Sequence, residues 1–126
     1  KGGKWVFGWC VVGSVGEICI PPEAFAEYGF RPGESVLYLR SSRRSGGFSV
    51  GRQEKLSASS TPLLRRSIGQ GVILAEERIA VPPEVGALPG QRFLAVRGSG
   101  YAVLFLTGGP IYEHALKHPE IETFKP

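Results

Sequence analysis

The chain carries one stretch twice. Val11–Glu23 and Val72–Glu84 run side by side at a constant offset of 61 and share an Ile-x-[Ile/Val]-Pro-Pro-Glu core. Beyond it the first copy continues through Ala24 to Phe30, whereas the second is four residues shorter before both reach Pro-Gly, at Pro32-Gly33 and Pro89-Gly90. An apolar segment follows in each, Val36–Arg40 and Phe93–Arg97, then a Gly/Ser-rich turn and a return through Phe48–Val50 and Tyr101–Phe105. Matches that keep their order over some forty residues mark a tandem repeat, each unit reading as strand, strand, short Pro-initiated turn or helix, strand, strand.

The local chemistry fits that reading. A Pro pair ends a strand because it removes amide donors, and a second Pro followed by Glu suits the first turn of a helix, where the N–H is not needed and the acid meets the positive end of the dipole. Glu23–Gly29 allows about two helical turns with Gly29 as a left-handed stop, whereas Glu84–Leu88 allows one turn at most. The helix is therefore expected in the first copy and degenerate in the second.

Phe93–Val96 and Tyr101–Leu106 are apolar at nearly every position, the pattern of strands buried on both faces. One unit of about forty residues has nothing to cover both faces. At 126 residues the chain supports one shared core more readily than two separate ones. The expected organisation is a single pseudo-dimeric domain over residues 1–126, with repeat one at about 8–51, a basic connector at 52–70, repeat two at about 71–106 and a C-terminal tail at 107–126. Arg52–Gln70 has no strand signature, although Ser60–Ile68 reads as a short helix capped by Thr61 with Pro62 at its first position. The tail offers another helix, opened by Gly109-Pro110 and ended before Pro119.

Charge is unevenly placed. The net charge is +4, but Arg40–Arg66 holds seven basic residues against one acid, Glu54, while Glu76 to the end holds five basic and six acidic residues. A basic middle is suited to phosphate, or is a solvated loop. Cys10 and Cys19 flank the turn-like Gly13–Gly16 and would stand opposite each other if the flanking strands paired directly, but two small thiols in a reducing compartment are the expectation. No apolar run approaches the roughly 20 residues needed to cross a bilayer, and Lys1–Lys4 opens no signal-peptide pattern, so no membrane partner and a cytoplasmic location are expected.

Catalytic and metal chemistry find little purchase. His114 and His118 are spaced to share a helix face but lack a third ligand, and Glu76-Glu77 would point to opposite faces of a strand. There is no Gly-x-Ser-x-Gly elbow, and Gly98-Ser99-Gly100 suits a hairpin turn rather than a P-loop. Neither enzymatic activity nor a cofactor is expected.

The run Gly16–Glu23, followed by Tyr28–Glu34, resembles the Gly-Arg-[Ile/Val]-x-Ile-Pro … Leu-Gly-[Ile/Leu]-x-x-Gly-[Asp/Glu] signature of AbrB/SpoVT-type domains, and Arg78–Pro82 with Leu88–Gln91 is similar to a shortened form of it. The resemblance covers roughly residues 8–50 and 71–106. It implies a mainly β fold, an intertwined double swapped-hairpin β-barrel with short helices, built here by two tandem repeats instead of a homodimer. It also implies a bacterial or archaeal transcriptional regulator that binds double-stranded DNA through basic residues around the hinge helix. By motif match Arg78 stands at the family's turn arginine; by charge alone Arg40, Arg43, Arg44, Arg65 and Arg66 are the further DNA-binding candidates. The chain departs from the signature at Glu17, where the family tends to place Arg, and at Phe25 and Ala26, where its hinge helix often carries basic pairs. The alternative is therefore a protein-interaction or assembly module that keeps the fold without binding DNA. Any further self-association is expected through the tail.

Overall fold

A computed structural model of the chain describes residues 6–59, 64–98 and 100–126. The protein is mainly β. Its strands are β1 (Val6–Val11), β2 (Glu17–Cys19), β3 (Ser35–Arg40), β4 (Phe48–Arg52), β5 (Ser67–Val72), β6 (Arg78–Ala80), β7 (Arg92–Arg97), β8 (Val103–Leu106) and β9 (Thr123–Phe124). The short α-helices α1 (Pro22–Glu27), α2 (Gln53–Ser59) and α3 (Pro110–Ala115) accompany them. Among the described residues no helix is long and apolar enough to cross a membrane.

Seven strands form one mixed sheet in the order β5-β3-β4-β8-β7-β1-β9, and β2 and β6 form a separate antiparallel ribbon. The order is symmetric about the β4–β8 seam once β9 is set aside. The first strand of each half pairs with the third strand of the other: β1 with β7, and β5 with β3. The sheet is open, with β5 and β9 as its edges, so its hydrogen bonds do not close a barrel.

Residues 61 apart occupy matching places throughout. Ile18 and Ile79 face each other at the centre of the β2–β6 ribbon, both fully buried. Gly13 N–H donates to Glu17 O at 2.9 Å, and Leu74 N–H donates to Arg78 O at 2.8 Å. Ile20 N–H reaches Glu77 O and Val81 N–H reaches Gly16 O, each at 2.9 Å. Past the shorter turn the same matching holds: Gly33 N–H donates to Ile73 O at 2.7 Å and Gly90 N–H to Val12 O at 2.8 Å. The turns differ as the sequence predicts, a true helix at Pro22–Glu27 and a single 3-10 turn at Pro83–Val85. Gly29 (φ +71°) and Gly86 (φ +68°) end them in the left-handed region that a side chain disfavours.

Alternation sorts side chains to two faces. On the front, Val36, Tyr38, Phe48, Val50, Phe93, Ala95, Val103 and Phe105 pack beneath the ribbon and α1, forming one core drawn from both halves. Phe48 sits at its centre, 5.3 Å from the Phe93 ring and 5.1 Å from Phe105. The strands Val36–Arg40 and Phe93–Arg97 thus contribute to a common core, as their lack of a polar face predicts.

The back face has two separate covers. Leu56 of α2 seals Leu37 and Leu39, while Ala115 and Tyr112 of α3, with Ile121, seal Trp9, Leu94, Val96 and Leu106. Each covering helix follows the fourth main strand of its half, β4 or β8. The tail then runs alongside β1, with Thr123 and Phe124 in parallel register with Trp9 and Cys10. It packs close because Gly8 has no side chain: a Cβ there would lie 2.6 Å from the Phe124 ring.

Two expectations need correction, both in the connector. The connector 52–70 is not free of strand: β5 starts at Ser67 rather than 71, although Ser-Ile-Gly-Gln-Gly-Val shows no alternation, because main-chain pairing to β3 holds this edge. The sequence does not announce the helix at Gln53–Ser59; of the expected Ser60–Ile68 helix, residues 60–63 lie outside the described residues, Leu64 is helical, and Ser67 and Ile68 belong to β5. Cys10 and Cys19 are free thiols, as expected; the strands flanking Gly13–Gly16 do not pair directly, since β1 pairs with β7 and β2 with β6.

Candidate nucleic-acid interface

The six arginines singled out in the sequence divide between two ends of the sheet. At one end, the ladder of β3 and β5 closes where Arg40 N–H donates to Arg66 O at 2.8 Å and Arg66 Nε donates back to Arg40 O at 3.1 Å. Arg65 precedes Arg66, and Arg43 and Arg44 sit in the loop joining β3 to β4, which Ser45 O fixes by accepting from the backbone N–H groups of Thr107 and Gly108. All five are on or next to this end, and Arg40, Arg43, Arg44, Arg65 and Arg66 are all exposed. Among the described residues none of them has a carboxylate partner within salt-bridge distance.

Arg78 lies at the other end. Val72 pairs with Ser35, at the start of β3, and the chain reaches Arg78 only through the 3-10 turn Ala75–Glu77 beyond it. Five residues of β3 separate the two ends, about 17 Å at the ordinary strand rise. Arg78 is also occupied. Its Nη1 donates to Glu17 Oε1 at 2.9 Å, its Nε donates to Ala75 O at 3.1 Å, and Glu76 stands 4.0 Å away. The structure therefore brings together the five arginines chosen by charge and leaves out the one chosen by motif.

Two more arginines are neutralised by partners that a count along the chain does not reveal. Arg52, part of the basic middle, is held by Glu34 at 2.5 Å and by Glu54 at 3.3 Å. Arg97, the residue of β7 that matches Arg40 of β3, donates from Nε and Nη2 to the Glu27 carboxylate at 2.6 and 2.7 Å. That bond holds the Glu27 carboxyl below the usual carboxylate range, and Arg97 correspondingly above its own. The Gly98 N–H next to it donates to Tyr28 Oη at 3.2 Å. Glu27 belongs to the helix α1. The second half is four residues shorter there and has no equivalent, so Arg40 is left without the partner its match enjoys.

The remaining reactive side chains sit elsewhere. Burial pushes the Cys10 thiol up strongly and the half-buried Cys19 thiol upward as well, so neither favours a thiolate. Tyr38, pushed up to about 12 by burial, donates its hydroxyl to Ala80 O at 2.6 Å and ties the sheet to β6. His118 Nδ1 contacts Glu120 at 2.9 Å and its Nε2 lies 3.2 Å from that of His114. Among the described residues no group of three or more His, Cys, Asp or Glu side chains is placed to hold a metal ion.

No family model matches the chain. No curated protein matches it either. Among solved structures, the solution structure of PHS018 from Pyrococcus horikoshii is similar to it at 14% identity, covering 82% of this chain and 91% of that one with a TM-score of 0.39.

Proposed function

We propose that this chain is a DNA-binding transcriptional regulator resembling the AbrB/SpoVT type, working in the cytoplasm, whose two tandem repeats do within one polypeptide what two subunits of that family do together. The exchange of first strands between the halves, and the main-chain bonds repeated at an offset of 61, support the swapped-hairpin part of the reading. The observation that carries the functional part is the separation of the arginines. Arg78, Arg97 and Arg52 are matched by Glu17, Glu27 and Glu34, and Arg92 lies over the Trp9 ring, while Arg40, Arg43, Arg44, Arg65 and Arg66 collect at one end with no carboxylate partner among the described residues.

Such a cluster meets the phosphate backbone of double-stranded DNA, where released counterions supply a salt-dependent affinity. Arg78 takes no part in this contact unless Glu17 lets it go. Replacing Arg43 and Arg44 by Ala is expected to weaken binding by a similar factor on all duplex sequences and to make the plot of log affinity against log salt shallower by about 1 per lost contact. Fluorescence anisotropy with labelled duplexes checks this. Absence of retention even at low salt would sink the DNA reading.

One observation favours the second reading, an assembly module. The position that matches the family's turn arginine in the first half is Glu17, and it neutralises Arg78. An assembly module shows neither DNA retention nor a salt slope. Its contact surface is then sought in the tail, where Ile111 and Leu116 remain exposed although Tyr112 and Phe124 are packed.

A further inference from the structure

Two serines on the sheet are out of place for a protein built only to pack. Ser49 stands in the middle of β4, opposite Leu104 of β8 and Leu39 of β3, and is the one polar residue in the buried set of the described residues, at 5% exposure. Just beyond β3, the Ser41 hydroxyl oxygen is buried and has no protein hydrogen-bond partner among the described residues. A buried hydroxyl without a partner is unfavourable, and native structures rarely tolerate one without a reason. The residue that matches Ser41 in the second half is Gly98, whose backbone is satisfied by Tyr28.

Both serines line a single cavity of about 280 Å³, which Arg40 and Arg66 also line. It lies at the β4–β8 seam, between the cluster under α2, which includes Leu39 and Ala102, and the cluster under the tail, which includes Leu104. Ser42 and Ser45 hold its loop side, their hydroxyls 2.8 Å apart, and Leu39 and Leu104 give it an apolar wall. Two arginines without carboxylate partners, a ring of hydroxyl donors and a small apolar floor make a complementary set. It matches a compact dianion with several acceptor oxygens, carried on a short apolar body. The volume, near the lower edge of about 300–1,000 Å³ for ligand pockets, admits a phosphate with a few carbons and excludes a nucleotide.

We propose that this cavity binds a small phosphomonoester, its phosphate held by Arg40, Arg66 and the Ser41 hydroxyl and its body laid on Leu39 and Leu104. The inference is independent of the DNA reading, because it concerns a small-molecule pocket and is measured without DNA. Should both hold, the ligand competes with the phosphate backbone for Arg40 and Arg66, and the cavity is an effector site.

The test titrates the isotope-labelled full chain with phenyl phosphate, inorganic phosphate and phenol, following backbone amides by NMR. Saturable shifts at Ser41, Ser49 and Leu104 are expected with phenyl phosphate, weaker ones with inorganic phosphate, and none with phenol. Arg40→Gln and Arg66→Gln should each weaken phenyl phosphate by about 10-fold, the scale of a lost charge-assisted contact. Ser41→Ala, which leaves every other bond of the fold in place, should weaken it several-fold, and Arg43→Ala should leave it unchanged. The proposal is overturned if phenol binds as well as its phosphate ester, if Arg43→Ala costs as much as Arg40→Gln, or if no saturable shift appears. Arg66 also closes the β3–β5 ladder, so Ser41→Ala and Arg40→Gln decide the matter if Arg66→Gln unfolds.

Discussion

The two halves of the molecule share a backbone and differ in what they do with it. In the second half, the end of β7 is closed: Arg97 is gripped by Glu27, and Gly98 by Tyr28. In the first half, the matching end of β3 is open: among the described residues Arg40 has no carboxylate partner and the Ser41 hydroxyl no protein partner. Four residues account for the difference. They give the first half a helix that reaches across to cover the second half, and the second half has no such helix to return. A repeat that is symmetric in its ladders thus becomes asymmetric in its chemistry by losing about one helical turn, and the candidate site lies where the cover is missing.

The harshest way to break the comparison is to separate the halves. Residues 6–59 alone would keep β3 paired only with β4 and leave β1 without a partner, and a two-stranded ribbon is at best marginally stable in water. That fragment is expected to be unfolded or self-associating by circular dichroism and sedimentation. A stable monomeric half would show that the exchange of strands is not what holds the fold.

Next in size is the centre of the ribbon. Ile18 and Ile79 are equally buried and face each other, so Ile18→Ala and Ile79→Ala should each cost about 2–5 kcal/mol and agree within about 1 kcal/mol. Urea unfolding measures both. A large difference between them would mean that the shared core is more one-sided than its geometry.

Smaller effects sharpen the asymmetry itself. Glu27→Ala should remove the carboxylate that Arg97 now grips and bring the closed end nearer to the open one, which under the DNA reading steepens the salt dependence by about one phosphate contact. Unchanged slope would show that an unpaired arginine at that end is not enough.

The smallest effect is on pH. The Glu27 carboxyl is held below its usual range, chiefly by the hydrogen bond from Arg97, so the ionised pair adds stability that is present above the ordinary carboxylate range. It is lost as pH falls through the lowered value. The pair is exposed, so the slope is slight, and Glu27→Gln should flatten it in thermal melts across the acid range. A steeper acid slope in Glu27→Gln would contradict the assignment.

How much of this was legible in the sequence follows from which forces write themselves locally. The Pro-Pro-Glu turns, the left-handed glycines and the apolar strands are short-range chemistry, and they were read nearly as they stand. The early start of β5 is not legible because this strand is an edge: it buries little, pairs through its main chain, and Ser67–Val72 leaves no alternating trace. α2 was missed because a single anchor, Leu56, attaches it. The pairing of arginines was out of reach, since Glu27 and Arg97 are 70 positions apart and a charge count treats Arg52 and Arg43 alike. The cavity serines carry no local mark.

The Glu17–Arg78 contact has a consequence for the molecule in a crowd. These two residues hold matching positions in the two halves and touch each other. If the first half of one molecule opened and joined the first half of another, the same contact would set carboxylate against carboxylate; two second halves would set guanidinium against guanidinium. Both mismatched unions are penalised by like-charge repulsion in a half-buried site, and only unlike halves fit. A chain already holding an unlike half at the end of its own tether has that partner at high effective concentration, so the contact discourages exchange of halves between like ends and keeps the fold closed upon itself.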